Sequence, residues 1–308
     1  MPFRITSAIA PIAALALLAL GPLPAAAQST GTESQREMEI ARAKLPPDAA
    51  KVLFGTQSEP APIEARSIGS YARGCLAGAV ALPVNGSAWQ VMRLSRNRFW
   101  GHPNLIAFLE RFAVAAQEIG WPGLLVGDMG QPRGGPMLTG HASHQIGLDA
   151  DIWLMPMPSR ELSQGERESL SAVSVVKPDK IEIDPKIWTP AHLRLIRQAS
   201  LDKEVARIFV NPAIKKVLCD SAGADRDWLH KVRPWYGHNY HFHVRLACPP
   251  GMTDCHDQDS PPAGDGCGKD LAYWLGPEPY RPEPPSPPKP PLKLADLPPA
   301  CSQVLVAK

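Results

Sequence analysis

The sequence predicts an α+β fold, and three observations carry that expectation. The stretch "NLIAFLERFAVAAQEIGW" repeats Leu105, Phe108, Leu109, Phe112, Ala116 and Ile119 at helical spacing. The segments "LDADIW" and "YHFHVRL" alternate instead with the period of two that marks a strand. From about Ser67 onward, short apolar runs are separated by Gly and Pro, as strands joined by tight turns require.

In chain order, the first element is expected to leave the mature protein. Arg4, the run "IAPIAALALLALGPLP" and the small residues "AAAQST" read as a signal peptide over residues 1–27, cut after Ala27. The run is shorter than the roughly 20 apolar residues a bilayer span needs, and Pro11 and Pro22 interrupt it. An uncleaved anchor is the competing reading. With the signal removed, no membrane association is expected. Residues 28–66 form an N-terminal helical extension in which "ESQREMEIARAKL" is an exposed helix ending at Pro46.

The main domain is expected over residues 67–276. After its amphipathic helix, "PGLLVGDMG" reads as a buried strand opening into a glycine-rich loop. "TPAHLRLIRQASLDKEVARIFV" gives a helix capped by Thr189, with Pro190 in its first turn, and then a strand. "NPAIKKVLC" is a third, short helix. Residues 277–308 make a proline-rich tail, in which eleven of the 23 residues from Pro277 to Pro299 are proline. Lacking amide donors, that stretch should run extended over the surface. A PxxP ligand for a partner is the alternative, but Cys301 beyond it asks for a cysteine back in the body.

Composition narrows the function classes. Losing residues 1–27 removes Arg4 and no acid, so a balance of 32 basic against 30 acidic residues becomes 31 against 30. No clustered basic surface suggests nucleic acid. The chain of 308 residues suits one large domain or two small ones. Six cysteines downstream of an export signal favour three disulfides, with fifteen possible pairings. A thiolate zinc site is the rival, and no CxxC occurs. Cys248 and Cys255, closing "CPPGMTDC" as a short loop, are the first expected pair.

Five of the nine histidines fall in two short windows: His141 and His144 in "GHASHQIGLDADIW", and His238, His241 and His243 in "GHNYHFHVRL". On a strand, His241 and His243 point one way while Phe242 and Val244 face the core. Asp149, Asp151 and Trp153 likewise share one face, with His144 on the turn before them, where Gly147 lets the chain bend. Two neighbouring strands would thus aim imidazole and carboxylate into one concavity. Zinc takes such ligands, keeping three from protein and leaving a position for water. Alone, an HxH is more often a polar strand face or a satisfied core histidine. Two histidine windows in an exported, cysteine-bridged chain outweigh that reading.

"GHASHQIGLDADIW", "RIFVNPAIKKVLC", "DRDWLHKVRPWYGHNYHFHVRLACP" and "AGDGCG" resemble, in the same order, the penicillin-insensitive murein endopeptidases. This family belongs to a zinc peptidase group with lysostaphin-type enzymes, D-Ala-D-Ala carboxypeptidases and hedgehog domains. The resemblance spans roughly Gly69 to Gly268. It implies a small antiparallel sheet carrying a Zn2+ site, flanked by helices. His144, Asp151 and His243 match its core zinc ligands, His241 its catalytic histidine and His238 another active-site histidine. His141 matches a metal-associated position, with a substrate-contacting role as the alternative. Asp179 in "VKPDKIEID" stands where an extra ligand is expected, although Glu182 replaces the accompanying histidine. The resemblance also implies the pairs Cys75–Cys301 and Cys219–Cys267, a periplasmic location, and peptidoglycan cross-links as partner and substrate, with a homodimer left open. Trp121, Trp153, Trp188, Trp228 and Trp235 are candidates for groove or core. A zinc carboxypeptidase trimming stem peptides and a non-catalytic wall-binding protein remain the rival functions.

Overall fold

The two alternating segments meet at the centre of a six-stranded sheet. The computed structural model describes residues 1, 32–179, 181–282, 284 and 286–308; apart from Met1, the expected signal peptide lies outside the described residues. The strands are β1 (Arg66–Ser70), β2 (Arg73–Ala77), β3 (Val80–Ala81), β4 (Trp89–Val91), β5 (Trp100–Gly101), β6 (Leu124–Val126), β7 (Asp149–Trp153), β8 (Val205–Val210), β9 (Val232–Pro234) and β10 (His241–Leu246). The helices are α1 (Glu33–Ala43), α2 (Ala50–Gly55), α3 (Pro103–Glu118), α4 (Gln164–Ser169), α5 (Pro190–Leu201), α6 (Pro212–Ser221), α7 (Lys269–Leu275) and α8 (Ala300–Val306).

The large sheet runs β4-β6-β7-β10-β8-β9. Its inner strands, β6 to β8 in that order, pair antiparallel, whereas the outer pairs β4–β6 and β8–β9 are parallel. Parallel neighbours need a crossover, and helices α3 and α6 lie in these two crossovers. The sheet is therefore antiparallel where the histidines sit and mixed at its edges.

One face of the sheet is closed. Phe242, Val244, Ala150 and Ile152 are fully buried in one core with Leu105, Phe108 and Phe112 of α3 and Leu195 and Ile196 of α5. The Phe112 and Phe242 rings meet edge to face at 6.4 Å. The helices begin as their sequences direct. Thr32 and Gln35 form a reciprocal capping box on α1, with bonds of 2.9 and 3.2 Å. Pro190 fills the first turn of α5; there His192 Nδ1 accepts from the Thr189 amide at 3.0 Å and its other nitrogen donates to the Leu154 carbonyl at 2.9 Å. No helix of the described residues is long and apolar enough to cross a membrane.

A smaller core draws on distant parts of the chain: Ala50 and Phe54 of α2, Ile68, Cys75 and Ala77 of the β1–β2 hairpin, and Leu297, Cys301 and Val304 of the tail. Residues Thr32–Lys308 form one compact unit. The three disulfides are Cys75–Cys301, Cys219–Cys267 and Cys248–Cys255, each with a Cα separation of 5.7 Å.

Lys215 of α6 is fully buried, its Nζ donating to the carbonyls of Leu229 (2.9 Å) and Asp265 (2.6 Å). Burial, aided by the charge of Arg233, pushes its ammonium down to about 7. Between that value and the unfolded one, near 10.4, the unfolded chain holds a proton that the folded chain has released. Stability from this group therefore rises with pH in that window, by about 2 kcal/mol from pH 7 to 9. Urea unfolding of wild type and Lys215→Met at the two pH values checks this: the variant should lose that part of the slope.

Candidate metal centre

Strand register builds the site. Across β7 and β10, His243 faces Asp151, Arg245 faces Asp149 and His241 faces Trp153, so these side chains share the sheet face turned away from α3 and α5. His141 and His144 arrive on the loop before β7. In that loop Gly147 has φ +72°, and a Cβ there would stand 2.4 Å from the Leu76 side chain and 2.9 Å from the His102 amide nitrogen. Only glycine fits. His144 at φ +67° and His238 at φ +51° also occupy the left-handed region, at roughly 1–3 kcal/mol each. Backbone strain of this kind concentrates at functional positions.

Asp151 is the meeting point. Its Oδ1 lies 3.2 Å from His243 Nδ1 and 3.5 Å from His144 Nε2; its Oδ2 lies 3.5 Å from His141 Nδ1 and 3.6 Å from His241 Nε2. Two ligands held at ~2.0–2.1 Å by one tetrahedral zinc stand about 3.4 Å apart, and these separations are of that size. Donor atoms of His141, His144 and Asp151 all lie within 4.8 Å of one another. His243 adjoins this group through its Nδ1, 3.2 Å from Asp151 Oδ1. Both ring nitrogens of buried His144, together with Asp151 Oδ1 and His241 Nδ1, have no hydrogen-bond partner among the described residues. Orphaned buried polar atoms are costly, and a cation among them would satisfy several at once. The donor set of imidazole and carboxylate suits zinc chemically.

Two further carboxylates orient the imidazoles. His243 donates from Nε2 to Asp149 Oδ1 at 2.9 Å, and His141 donates from Nε2 to Asp128 Oδ2 at 3.0 Å. Each ring is left with Nδ1 toward Asp151, the arrangement in which a carboxylate fixes the tautomer of a metal-binding histidine. Asp149 also accepts from the His144 amide (2.9 Å) and Arg245 Nε (2.8 Å). Asp128 accepts from Arg98 (2.9 Å) and Arg96 (3.2 Å), and Arg96 donates in turn to Ser34 of α1 at 3.1 Å.

Charge follows from these contacts. Burial alone would raise the carboxyls, yet their partners hold all three well below the usual carboxylate range: His141, Arg98 and Arg96 for Asp128, Arg245 and His243 for Asp149, His241 and the other histidines for Asp151. Burial pushes His144 down to about 4; burial and the charge of His241 push His238 down to about 3. Burial also lowers His241. For His243, burial is outweighed by Asp149 and Asp151, and for His141 by Asp151 and Asp128, so both are raised.

His141, His144, Asp151, His241 and His243 are brought together, and the His238 ring lies 4.9 Å from that of His241. Asp179 is not among them. It sits on an exposed turn, where its carboxylate accepts from the Ile181 amide at 3.0 Å, and Glu182 pairs there with Lys177 at 2.5 Å. Asp128 and Asp149 are the site residues that sequence reasoning left without a role. Asp149 had a signal, its shared face with Asp151; Asp128, alone in "GDMG", had none.

Two cavities flank the cluster. One of about 260 Å³ lies on the β6–β7 side and is bounded by Arg93, Asp128, Asp151, Trp153, Tyr240 and His241. The other, about 490 Å³, lies toward β8 and β9 and is bounded by Arg207, Phe209, Trp235, His238, His243 and Trp274. His141 lines both. Of the candidate tryptophans, Trp153 and Trp235 reach a cavity, Trp121 and Trp228 are core, and Trp188 packs on His192. Trp274, which also lines the larger cavity, carries no sequence signal that singles it out.

A family model for penicillin-insensitive murein endopeptidase matches residues 67–306. Relatives of that name are 47% identical over 244 residues in Haemophilus influenzae (79% of this chain, 83% of the relative) and 44% identical over 240 in Pectobacterium atrosepticum (78% and 84%). In Citrobacter koseri the figure is 45% over 248 residues (80% and 89%). The matched span contains β7, β10, the histidine loop and both cavities, and the chain belongs to the penicillin-insensitive murein endopeptidase family.

Proposed function

We propose that the chain is a zinc endopeptidase that hydrolyses the D-alanyl–meso-diaminopimelate cross-links of murein in the periplasm, after residues 1–27 are removed. The observation that carries this reading is the pair of cavities with His141 on the border of both. A peptide passing the cluster has room on each side, as cutting within a bridge requires; trimming a chain end needs only one.

His144, Asp151 and His243 would hold the ion, with His141 beside them. Bound there, zinc supplies Lewis acidity and lowers the pKa of its water toward ~7. The protein's own groups handle the protons. His241 and His238 are pushed toward their neutral forms, and His238 is steered by donation from Nδ1 to the Tyr236 carbonyl at 2.6 Å. They accept the proton as water adds to the scissile carbonyl and return it to the leaving amine, so that the C–N bond breaks to carboxylate and amine. No serine nucleophile takes part, and a β-lactam has nothing to acylate.

Digestion of purified sacculi with and without 1,10-phenanthroline tests the reading. Cross-linked dimers should convert to monomers, and the chelator should stop the conversion. Release of free D-alanine with dimers intact would overturn the endopeptidase assignment, and cleavage indifferent to chelation the zinc.

A further inference from the structure

The two cavities differ in charge. Asp128 and Asp151 mingle with Arg93 and Arg96 in the smaller one. The larger is lined by Arg207, Arg233 and Arg245, with no Asp or Glu among the described residues on its wall. Two of these arginines are neutralised from behind: Arg245 by Asp149 at 2.8 Å and Arg233 by Asp270 at 2.7 Å. Arg207 has no ion pair among the described residues; it donates to the backbone carbonyl of Asp259 at 2.6 Å.

Register makes this cation costly. Arg207 on β8 stands directly opposite Arg245 on β10, and like charges facing each other across a sheet are destabilising. Phe209, two residues on, faces His243. Arg207 is thus on the cluster's face of the sheet, about 7 Å along the strand from the residue opposite His243. Trp235 and Trp274, their rings 5.3 Å apart, give the same cavity an apolar wall.

We propose that the larger cavity seats a carboxylate-bearing arm of the cross-linked peptide and that Arg207 pairs with a carboxylate of that arm. The assignment rests on the murein reading and adds which side of the cluster takes which charge. A guanidinium offers a carboxylate two parallel donors, which an ammonium does not, so Arg207 would select for carboxylate over carboxamide. Its role is specificity, and its loss should raise KM far more than it lowers kcat.

Two sets of probes test this: murein tetrapeptides and their cross-linked dimers with free carboxylates, and the same peptides with those carboxylates converted to carboxamides. Binding of the monomers is followed through the tryptophan fluorescence of the metal-loaded protein, and cleavage of the dimers by chromatography. Wild type should bind the free acid roughly 10- to 100-fold more tightly than the amide. Arg207→Gln should erase the preference by weakening only the free acid, while Arg207→Lys keeps part of it. Equal binding of acid and amide by wild type, a comparison that needs no variant, would overturn the proposal. So would a preference that survives in folded Arg207→Gln. Should wild type cut neither dimer, the murein cleavage reading fails, and the binding comparison still judges the role of Arg207.

Discussion

Replacing Asp151 by Asn should lower cleavage of cross-linked muropeptides at least about a thousandfold and strip the protein of bound metal. The carboxylate is 3.2–3.6 Å from nitrogens of four histidines; no other side chain in the cluster has as many. An amide in its place keeps the shape and removes the charge. Metal content by elemental analysis and kcat/KM on purified dimers are the two readouts. The variant Asp149→Asn gives the contrast, because its carboxylate supports the cluster from behind, through the His243 ring and the His144 backbone amide. Its metal affinity should fall about 10- to 100-fold, accompanied by lost stability, because Arg245 is left buried without its carboxylate. If Asp151→Asn retained both metal and activity, the cluster would not be the catalytic centre.

The second large effect concerns stability. Replacing both Cys75 and Cys301 by Ala should lower the unfolding free energy by about 5 kcal/mol, because the bridge closes a loop across 226 residues and the chain-entropy cost of such a loop is near the top of the range for disulfides. Denaturant titration of the double variant, with wild type as reference, measures it; a change below about 1 kcal/mol would contradict the estimate. The damage should reach the site. Arg133, on the segment leading to His141, donates to the Val304 and Leu305 carbonyls of α8 at 2.9 and 2.6 Å. A freed tail therefore loosens the histidine loop, and activity should fail at a lower temperature than in wild type.

How much of this was legible in the sequence depends on how local each feature is. The strand carrying His241 and His243, the strand carrying Asp149 and Asp151, and the helices α3, α5 and α6 are written in periodicity and caps within one segment. The parallel edges β4–β6 and β8–β9 are not, because crossover pairing depends on how helices lie over the sheet. The small core is likewise invisible locally, since α2, β1–β2 and the tail each look weak alone. Asp128 reaches His141 only because the β6 strand sits beside β7, a neighbourhood no spacing announces. Asp179 shows the opposite case: position suggested a ligand, but its turn folds upon itself and spends the carboxylate on its own amides. Arg207 would pass as an ordinary polar strand residue until its neighbour across the sheet is known to be another arginine.

The Asp149 carboxylate ties the His144 backbone, the His243 ring and Arg245 into one knot whose bonds involve no ion. The ligand-bearing loop and strand are therefore locked together by the polypeptide alone. In small zinc domains that fold only as they load, metal loss and unfolding are one event. Here the bonds that hold the loop against the strand are the protein's own, so the alignment of the imidazoles is a property of the folded chain's hydrogen bonding.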